Sequence, residues 1–156
     1  MFTPSQNECR LIPGLNFTCH VRVSTWMIGG QALDSAENQN SIQISLWRRD
    51  TGNDDNDIVH LERLIPIGKL SPRNEPNIYI ISTDLIDIEP GWFIGISLLT
   101  SSSFSLYYMN GGPDSYQTYI FDPEKELNER ELLLQEDNNR QLALPLLRPM
   151  EIGKLH

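Results

Sequence analysis

Residues 41–47 alternate polar and apolar side chains as far as Leu46, with Trp47 next on the polar side, and this segment restricts the fold more than any other part of the sequence. Successive side chains of a β-strand point to opposite faces of the sheet, so strict alternation predicts a strand with one apolar face. The two faces of this strand would carry Ile42, Ile44 and Leu46 on one side and Gln43, Ser45 and Trp47 on the other. The polar, acidic residues 50–57 then predict a turn, after which 58–67 is expected to return antiparallel.

Further segments carry a strand signal, each bounded by glycine, proline or polar turn residues. These segments are residues 21–28, 77–82, 86–88, 92–98, 103–109 and 116–121. A turn at Pro90-Gly91 is expected to connect 86–88 with the apolar strand that follows. Residues 122–140 are charged and predict a loop or a short helix. Residues 141–152 predict a final strand that Pro145 and Pro149 either place at a sheet edge or break.

Many short strands without a long amphipathic helix predict an all-β fold, namely an antiparallel β-sandwich that is jelly-roll-like. The 156 residues are expected to form one domain, with its main strands over 9–121. A net charge of −9 disfavours binding to nucleic acid or to anionic lipid. The longest mainly apolar stretch, 91–109, is interrupted by serines, so we expect no membrane span. No signal-peptide pattern begins the chain, so a secreted protein would be present here in its mature form.

Two cysteines and one glycosylation triplet bear on the compartment. Cys9 and Cys19 flank Pro13-Gly14, a dipeptide that favours chain reversal, so a hairpin-like disulfide is one interpretation and two buried thiols is the other. Asn16-Phe17-Thr18 is an N-glycosylation acceptor, which makes Asn16 a candidate glycan site. Together these features favour a location that is secreted or on the extracellular face of the plasma membrane.

Groups that carry catalysis or bind metal are sparse in the sequence. Neither a nucleophile motif nor a phosphate-binding loop is present, and the pair Cys19-His20 matches no zinc spacing. The acidic segment 50–57 fails the EF-hand pattern, so a solvated hairpin tip and a calcium loop stay as alternatives. We therefore expect that the protein is not an enzyme and that it has no catalytic residue, no metal and no cofactor.

The three tryptophans raise the question of sugar binding, since an exposed indole packs on a pyranose ring. Trp26, Trp47 and Trp92 all lie in expected strands, which favours core packing. Trp47 is the exception, because it shares a strand face with polar residues. If it points outward, Trp47, Arg48 and Arg49 form a small binding patch that combines an aromatic ring with cations.

Three segments and one tryptophan, in this order, resemble predicted ectodomains of sponges and related early animals: 12–19 with the letters IPGLNFTC, then Trp26, 42–49 with IQISLWRR, and 88–96 with IEPGWFIGI. That group repeats a "PG-NFTC" opening, a "QIWR" strand and a "PGD-ILG" turn, and residues 143–147 resemble its closing strand. Trp92 departs from the group, which usually has an acid there, and Ser45 and Leu46 lengthen the second motif. The resemblance implies a secreted or type I membrane context, a glycan on Asn16, Cys19 as a disulfide partner and no known activity.

Three functions remain as expectations. The first is an extracellular recognition or adhesion module whose partner is a protein or glycan at the cell surface or in the matrix. The second is a structural matrix protein that assembles with itself through apolar edge strands. The third is a glycan-binding or glycan-hydrolysing jelly roll, and hydrolysis would require two carboxylates about 5–10 Å apart across a groove.

Overall fold

The computed structural model describes residues 8–32, 42–50, 58–67, 70, 77–98, 104–106, 108–110, 116–121, 131–133, 141–145 and 147–154. Every regular element in these ranges is a β-strand. The strands are β1 Glu8–Asn16, β2 Val21–Ala32, β3 Ile42–Arg49, β4 Ile58–Ile67, β5 Asn77–Ile88, β6 Phe93–Leu98, β7 Phe104–Leu106, β8 Tyr108–Asn110, β9 Tyr116–Phe121, β10 Glu131–Leu133, β11 Gln141–Pro145 and β12 Leu147–Lys154. The all-β class expected from the sequence is confirmed.

The strands form two antiparallel sheets. The large sheet has the order β10-β4-β3-β6-β1-β9-β11-β8, and the small sheet has the order β12-β2-β5, with β7 also paired to β2. A shared core joins the two sheets, with Trp26 and Ile86 from the small sheet and Ile44 and Ile96 from the large one, all at most 2% exposed. Two antiparallel sheets with a common core are consistent with the predicted β-sandwich.

The expected strand over 41–47 and its hairpin partner are both present. In β3, Ile42, Ile44 and Leu46 are buried and belong to the core between the sheets, as the alternation predicts. The backbone amide of Asp50 donates to the carbonyl of Ile58 at 2.8 Å, and β4 returns antiparallel to β3. The acidic residues 51–57 of the connection lie outside the described residues.

The Pro90-Gly91 turn is present, but it connects strands of different sheets. Trp92 N donates to Glu89 O at 3.3 Å, and Gly91 has φ +88°, which corresponds to the third residue of a type II turn. The strand before the turn, β5, lies in the small sheet, whereas β6 lies in the large one. Phe17 binds this corner through backbone hydrogen bonds to Gly91 and Trp92, so the β1–β2 and β5–β6 connections lie side by side at one end of the sandwich.

The C-terminal third differs from the expectation in one segment. The sequence predicted a charged loop or a short helix over 122–140. Residues 131–133 of this segment instead form β10 and pair with 58–60 of β4. The helical tendency of this segment is weak. Backbone hydrogen bonds to a neighbouring strand therefore stabilise the extended form more than the helix. The rest of 122–140 lies outside the described residues. The final strand is broken, as the prolines predict, because β11 joins the large sheet and β12 an edge of the small sheet. The described ranges contain no helix that is long and apolar enough to cross a membrane.

Candidate functional site

A groove of about 390 Å³ lies at one open side of the sandwich, and we call it the edge groove. Its walls are residues 63–66 of β4 and residues 82–84 and 86 of β5. Among the described strands, β5 ends the small sheet and β10 pairs with 58–60 of β4, so both walls come from outer parts of their sheets. Buried Ile65 and Ile86 form its apolar floor, while Arg63 and Asp84 are exposed on opposite walls.

Both walls are shaped by β-bulges. In β4, Leu46 faces Arg63 and Trp47 faces Leu61, which leaves Glu62 as one extra residue. In β5 the insertion is larger, because residues 83–85 lie opposite a single residue of β2. Bulges bend a strand and change the direction of its side chains, and they are frequent at sheet edges and near binding sites. The edge groove therefore lies where two irregular strands from different sheets meet.

A core tryptophan holds the β5 bulge in place. Trp26 is fully buried, and its Nε1 donates to Thr83 Oγ1 at 3.2 Å. The Thr83 hydroxyl lies 3.4 Å from the Ser24 carbonyl and 3.2 Å from the Asp84 carbonyl, either of which can accept its proton. The hydroxyl thus links the indole to the backbone of β2 or of β5, and because Thr83 belongs to the bulge, the bulge is tied to a contact in the core.

Four large hydrophobic side chains are exposed among the described residues, and all four lie on β4 or β5. They are Leu64 at 37%, Leu85 at 45%, Ile78 at 57% and Ile80 at 66% exposure, and we call them the apolar strip. Single exposed hydrophobic residues are common on protein surfaces. Their concentration on the two strands that form the edge groove is typical of an interaction surface instead.

The sequence did not indicate the edge groove. It predicted strands at 77–82 and 86–88 but treated them as separate, whereas β5 runs through both. The available signal is the loss of alternation at residues 83–85, between two segments rich in isoleucine. An interruption of this kind in one strand indicates a bulge. That β4 lies across from it follows only from the tertiary structure.

The structure contains no disulfide between Cys9 and Cys19, which corrects that interpretation. Pro13-Gly14 does not reverse the chain but lies inside β1, where the pairing with β6 shifts between Ile12 and Asn16. Cys9 pairs with Ser97 and Asn16 with Phe93, four residues away along β6, which is roughly 13 Å. A disulfide requires Cα atoms about 4.4–6.8 Å apart. Cys9 is buried, whereas Cys19 is exposed beyond the far end of β1.

Trp47 does not form a surface patch with Arg48 and Arg49, since its side chain is fully buried while the two arginines are exposed. On the polar face of β3, Ser45 and Trp47 are buried, because a second set of buried residues packs there. This second core consists of Cys9, Leu11, Trp47, Val59 and Phe93. Core packing is therefore confirmed for Trp26, the outward interpretation of Trp47 is wrong, and Trp92 is partly buried against the main core.

Asn16 is exposed at the end of β1, on the corner that joins the two sheets, so its side chain is accessible. Nearby, His20 Nε2 lies 3.5 Å from Asp87 Oδ1 and 3.9 Å from Glu89 Oε1. Arg22 Nε lies 3.2 Å from the same Asp87 oxygen. These side chains form a small, solvent-accessible charge cluster at this corner.

Groups suited to metal binding are not assembled within the part of the chain that the structure describes. No three His, Cys, Asp or Glu side chains in that part are placed to hold a metal ion. Asp84 is the single carboxylate among the described residues that line the edge groove, whereas glycoside hydrolysis uses two. Asp50 lies 3.5 Å from His60 Nε2, and the remainder of the acidic segment lies outside the described residues.

Comparison of the chain with protein-family models, with curated proteins and with solved structures found no match. The resemblance to sponge ectodomains therefore stays a prediction from the sequence. The fold defines the chain as an all-β protein with two antiparallel sheets.

Proposed function

We propose that this chain is an extracellular recognition or adhesion module, without catalytic activity, that binds a protein partner along the β4–β5 side of the sandwich. The observation that carries the proposal is that the edge groove and the apolar strip lie on the same two strands, β4 and β5, and share Leu64. Exposed aliphatic side chains beside a sheet edge are the features used when a partner chain adds to a sheet or packs against it.

A protein partner fits this surface better than a glycan. Sugar-binding sites use exposed aromatic rings, and the described lining of the edge groove contains none. Trp26 and Trp47, two of the three tryptophans, are fully buried. The described lining combines aliphatic side chains with Arg63, Asp84 and two hydroxyl residues, which resembles the apolar centre and polar rim of a protein interface.

The extracellular part of the proposal is supported by Asn16 and not by the cysteines. An exposed sequon at a strand end is accessible to the glycosylation machinery, and a glycan there would extend from the corner of the sandwich. The jelly-roll-like connection of the strands is likewise a proposal. A jelly roll has eight strands in two sheets, whereas twelve strands are described here.

An interaction screen with matched variants tests the proposed function. The purified chain is screened against displayed extracellular protein domains and, in parallel, against a glycan array. Each ligand found is measured again with Asp84→Asn and Ile80→Thr, and with Glu89→Gln as the control that removes a carboxylate at the distant corner.

We expect protein ligands whose affinity falls roughly ten-fold for Ile80→Thr, less for Asp84→Asn, and not for Glu89→Gln. Ligands whose affinity is unchanged by both Asp84→Asn and Ile80→Thr would contradict the proposed site. Binding restricted to glycans would contradict the proposed class of partner.

A further inference from the structure

The edge groove carries two charges of opposite sign on opposite walls, and we call them the groove charges. They are Arg63 of β4 and Asp84 of β5, and both side chains are exposed. Between them lies the apolar floor of Ile65 and Ile86, which are 4% and 2% exposed. An occupant of the groove therefore meets a cation on one side, an anion on the other and aliphatic side chains in the middle.

Neighbouring charges on the same two strands already have partners. On β4, the residue before the groove arginine is Glu62, and its Oε1 lies 2.9 Å from Arg48 Nε. On β5, Asp87 Oδ1 lies 3.2 Å from Arg22 Nε. Neither groove charge forms an ion pair with another residue in the described ranges. The groove charges are thus the ones on these walls that an incoming ligand can pair with.

Each groove charge lies in or beside a β-bulge. Glu62 is the extra residue of β4, directly before Arg63, and Asp84 is the middle residue of the insertion in β5. The hydrogen bond from Trp26 to Thr83 fixes the second bulge to the core. Bulges change the direction in which the following side chains point. The two walls are therefore shaped before a ligand arrives, which lowers the cost of binding.

The size of the groove limits what can enter it. Its volume of about 390 Å³ is near the lower end of the roughly 300–1,000 Å³ that ligand sites span. A standard protein interface covers about 800 Å² on each partner, so the groove accepts a short segment and not a folded surface. The rest of such an interface would lie over the apolar strip.

We propose that the occupant is an extended segment of the protein partner, in which an acidic and a basic residue flank an aliphatic one. The acid pairs with Arg63, the base pairs with Asp84, and the aliphatic side chain packs on Ile65 and Ile86. Opposite charges placed in this way fix the direction of the segment in the groove. The inference rests on the proposed function, because it specifies the part of the partner that binds to the same side of the sandwich.

The acidic residue of the segment distinguishes this occupant from a merely basic one. A chain with a net charge of −9 attracts cations over most of its surface, whether or not the groove is involved. The same field repels an acidic side chain, which is favoured beside Arg63. A requirement for the acid therefore reports on the groove itself.

A charge-exchange experiment tests the proposal. A library of random short peptides is selected for binding to the purified chain, and each enriched peptide is also made with its acidic and basic residues exchanged. Binding is measured to the unmodified chain, to the groove exchange (Arg63→Asp with Asp84→Arg) and to a control exchange (Arg48→Glu with Glu62→Arg). Both double variants keep the net charge of −9, so the long-range attraction is unchanged. Circular dichroism checks that each variant is folded, and Arg63→Gln provides a milder single change.

We expect the enriched peptides to carry an acid and a base on either side of an aliphatic residue. The groove exchange should bind them at least roughly ten-fold more weakly than the unmodified chain, since like charges then face each other. It should instead prefer the charge-exchanged peptides, whereas the control exchange should keep the original preference. Arg63→Gln should remove the requirement for the acid.

Enriched peptides without an acidic residue would overturn the inference, as would a groove exchange that keeps the original preference or a control exchange that reverses it. A selection that enriches no peptide would overturn it as well. If protein ligands from the interaction screen still lose affinity with Ile80→Thr in that case, the proposed function stands without the segment. If the screen yields no such ligand either, both fail.

Discussion

Because Gly95 has no side chain, Trp47 and Ser45 can pack beside it on the outer face of the large sheet. A Cβ atom at Gly95 would lie 3.0 Å from Trp47 Nε1 and closer still to Ser45 Oγ and Leu11 Cδ2. The indole nitrogen donates to Ser45 Oγ at 2.8 Å, so the hydrogen bond and the missing side chain form one packing unit. This unit explains how a tryptophan stays buried on the polar face of an alternating strand.

Gly95→Ala is expected to lower the free energy of unfolding by about 1–3 kcal/mol, because the added methyl group overpacks a closed site. Chemical denaturation measures the change. Combining it with Ser45→Ala should cost less than the sum of the two single changes, since the hydroxyl nearest the new methyl group is then absent. Additive effects would contradict this packing unit.

Gly91→Ala is a useful comparison: nothing lies within 4 Å of its Cβ position, so we expect only the cost of positive φ, about 1 kcal/mol.

The two cysteines should behave as independent thiols. Reducing agent is expected to leave the thermal unfolding temperature unchanged, because no Cys9–Cys19 bridge exists to break. Cys19→Ser should be nearly neutral at its exposed position, whereas Cys9→Ser, which places a hydroxyl in the second core, should cost about 1–3 kcal/mol. Mass spectrometry after alkylation gives the thiol count. A large destabilisation on reduction would show that the chain has a disulfide after all.

Alternation in the sequence specified which residues of β3 share a face, but not whether that face is exposed. Ile42, Ile44 and Leu46 were correctly predicted to share one face, and that face packs into the core. The opposite face needs a covering layer before Ser45 and Trp47 are buried, and a pattern of period two contains no information about such a layer. For the same reason the patch at Trp47 could not be tested from the sequence alone.

At the scale of elements, the β5 bulge determines the shape of the edge groove. Thr83→Val keeps the side-chain volume and removes the acceptor for Trp26 Nε1, which leaves a buried donor unsatisfied. We expect a loss of about 1–3 kcal/mol in unfolding free energy and faster amide exchange over residues 82–86. Thr18→Val, at an exposed position, is the control and should change neither quantity. Equal effects of the two substitutions would show that the indole contact does not fix the bulge.

Strand positions were more predictable from the sequence than sheet membership. The Pro90-Gly91 dipeptide indicated a turn, and the turn is present, yet β5 and β6 lie in different sheets. Local chemistry specifies how the backbone turns, whereas the strand with which each arm pairs depends on contacts distant in sequence. Likewise, Pro13-Gly14 indicated a reversal but forms an irregular part of β1, because pairing with β6 continues on both sides of it.

For the whole molecule, the extracellular assignment predicts a glycan at Asn16. Expressed through a eukaryotic secretory pathway, the chain should lose mass on treatment with an N-glycosidase, and Asn16→Gln should abolish that loss. Thr18→Ser keeps the acceptor pattern and should retain the glycan. An unmodified Asn16 in the secreted chain would remove the main support for the extracellular assignment.

The central claim is that the β4–β5 side of the sandwich is the surface through which this protein binds its partner. Hydrogen–deuterium exchange, compared between the free chain and the chain saturated with a protein ligand from the screen, tests this claim most directly. The account predicts that protection on binding is concentrated in residues 63–66 and 78–86. Protection confined to the Asn16 and Pro90-Gly91 corner, or to the Arg48-Arg49 end of β3, would contradict it.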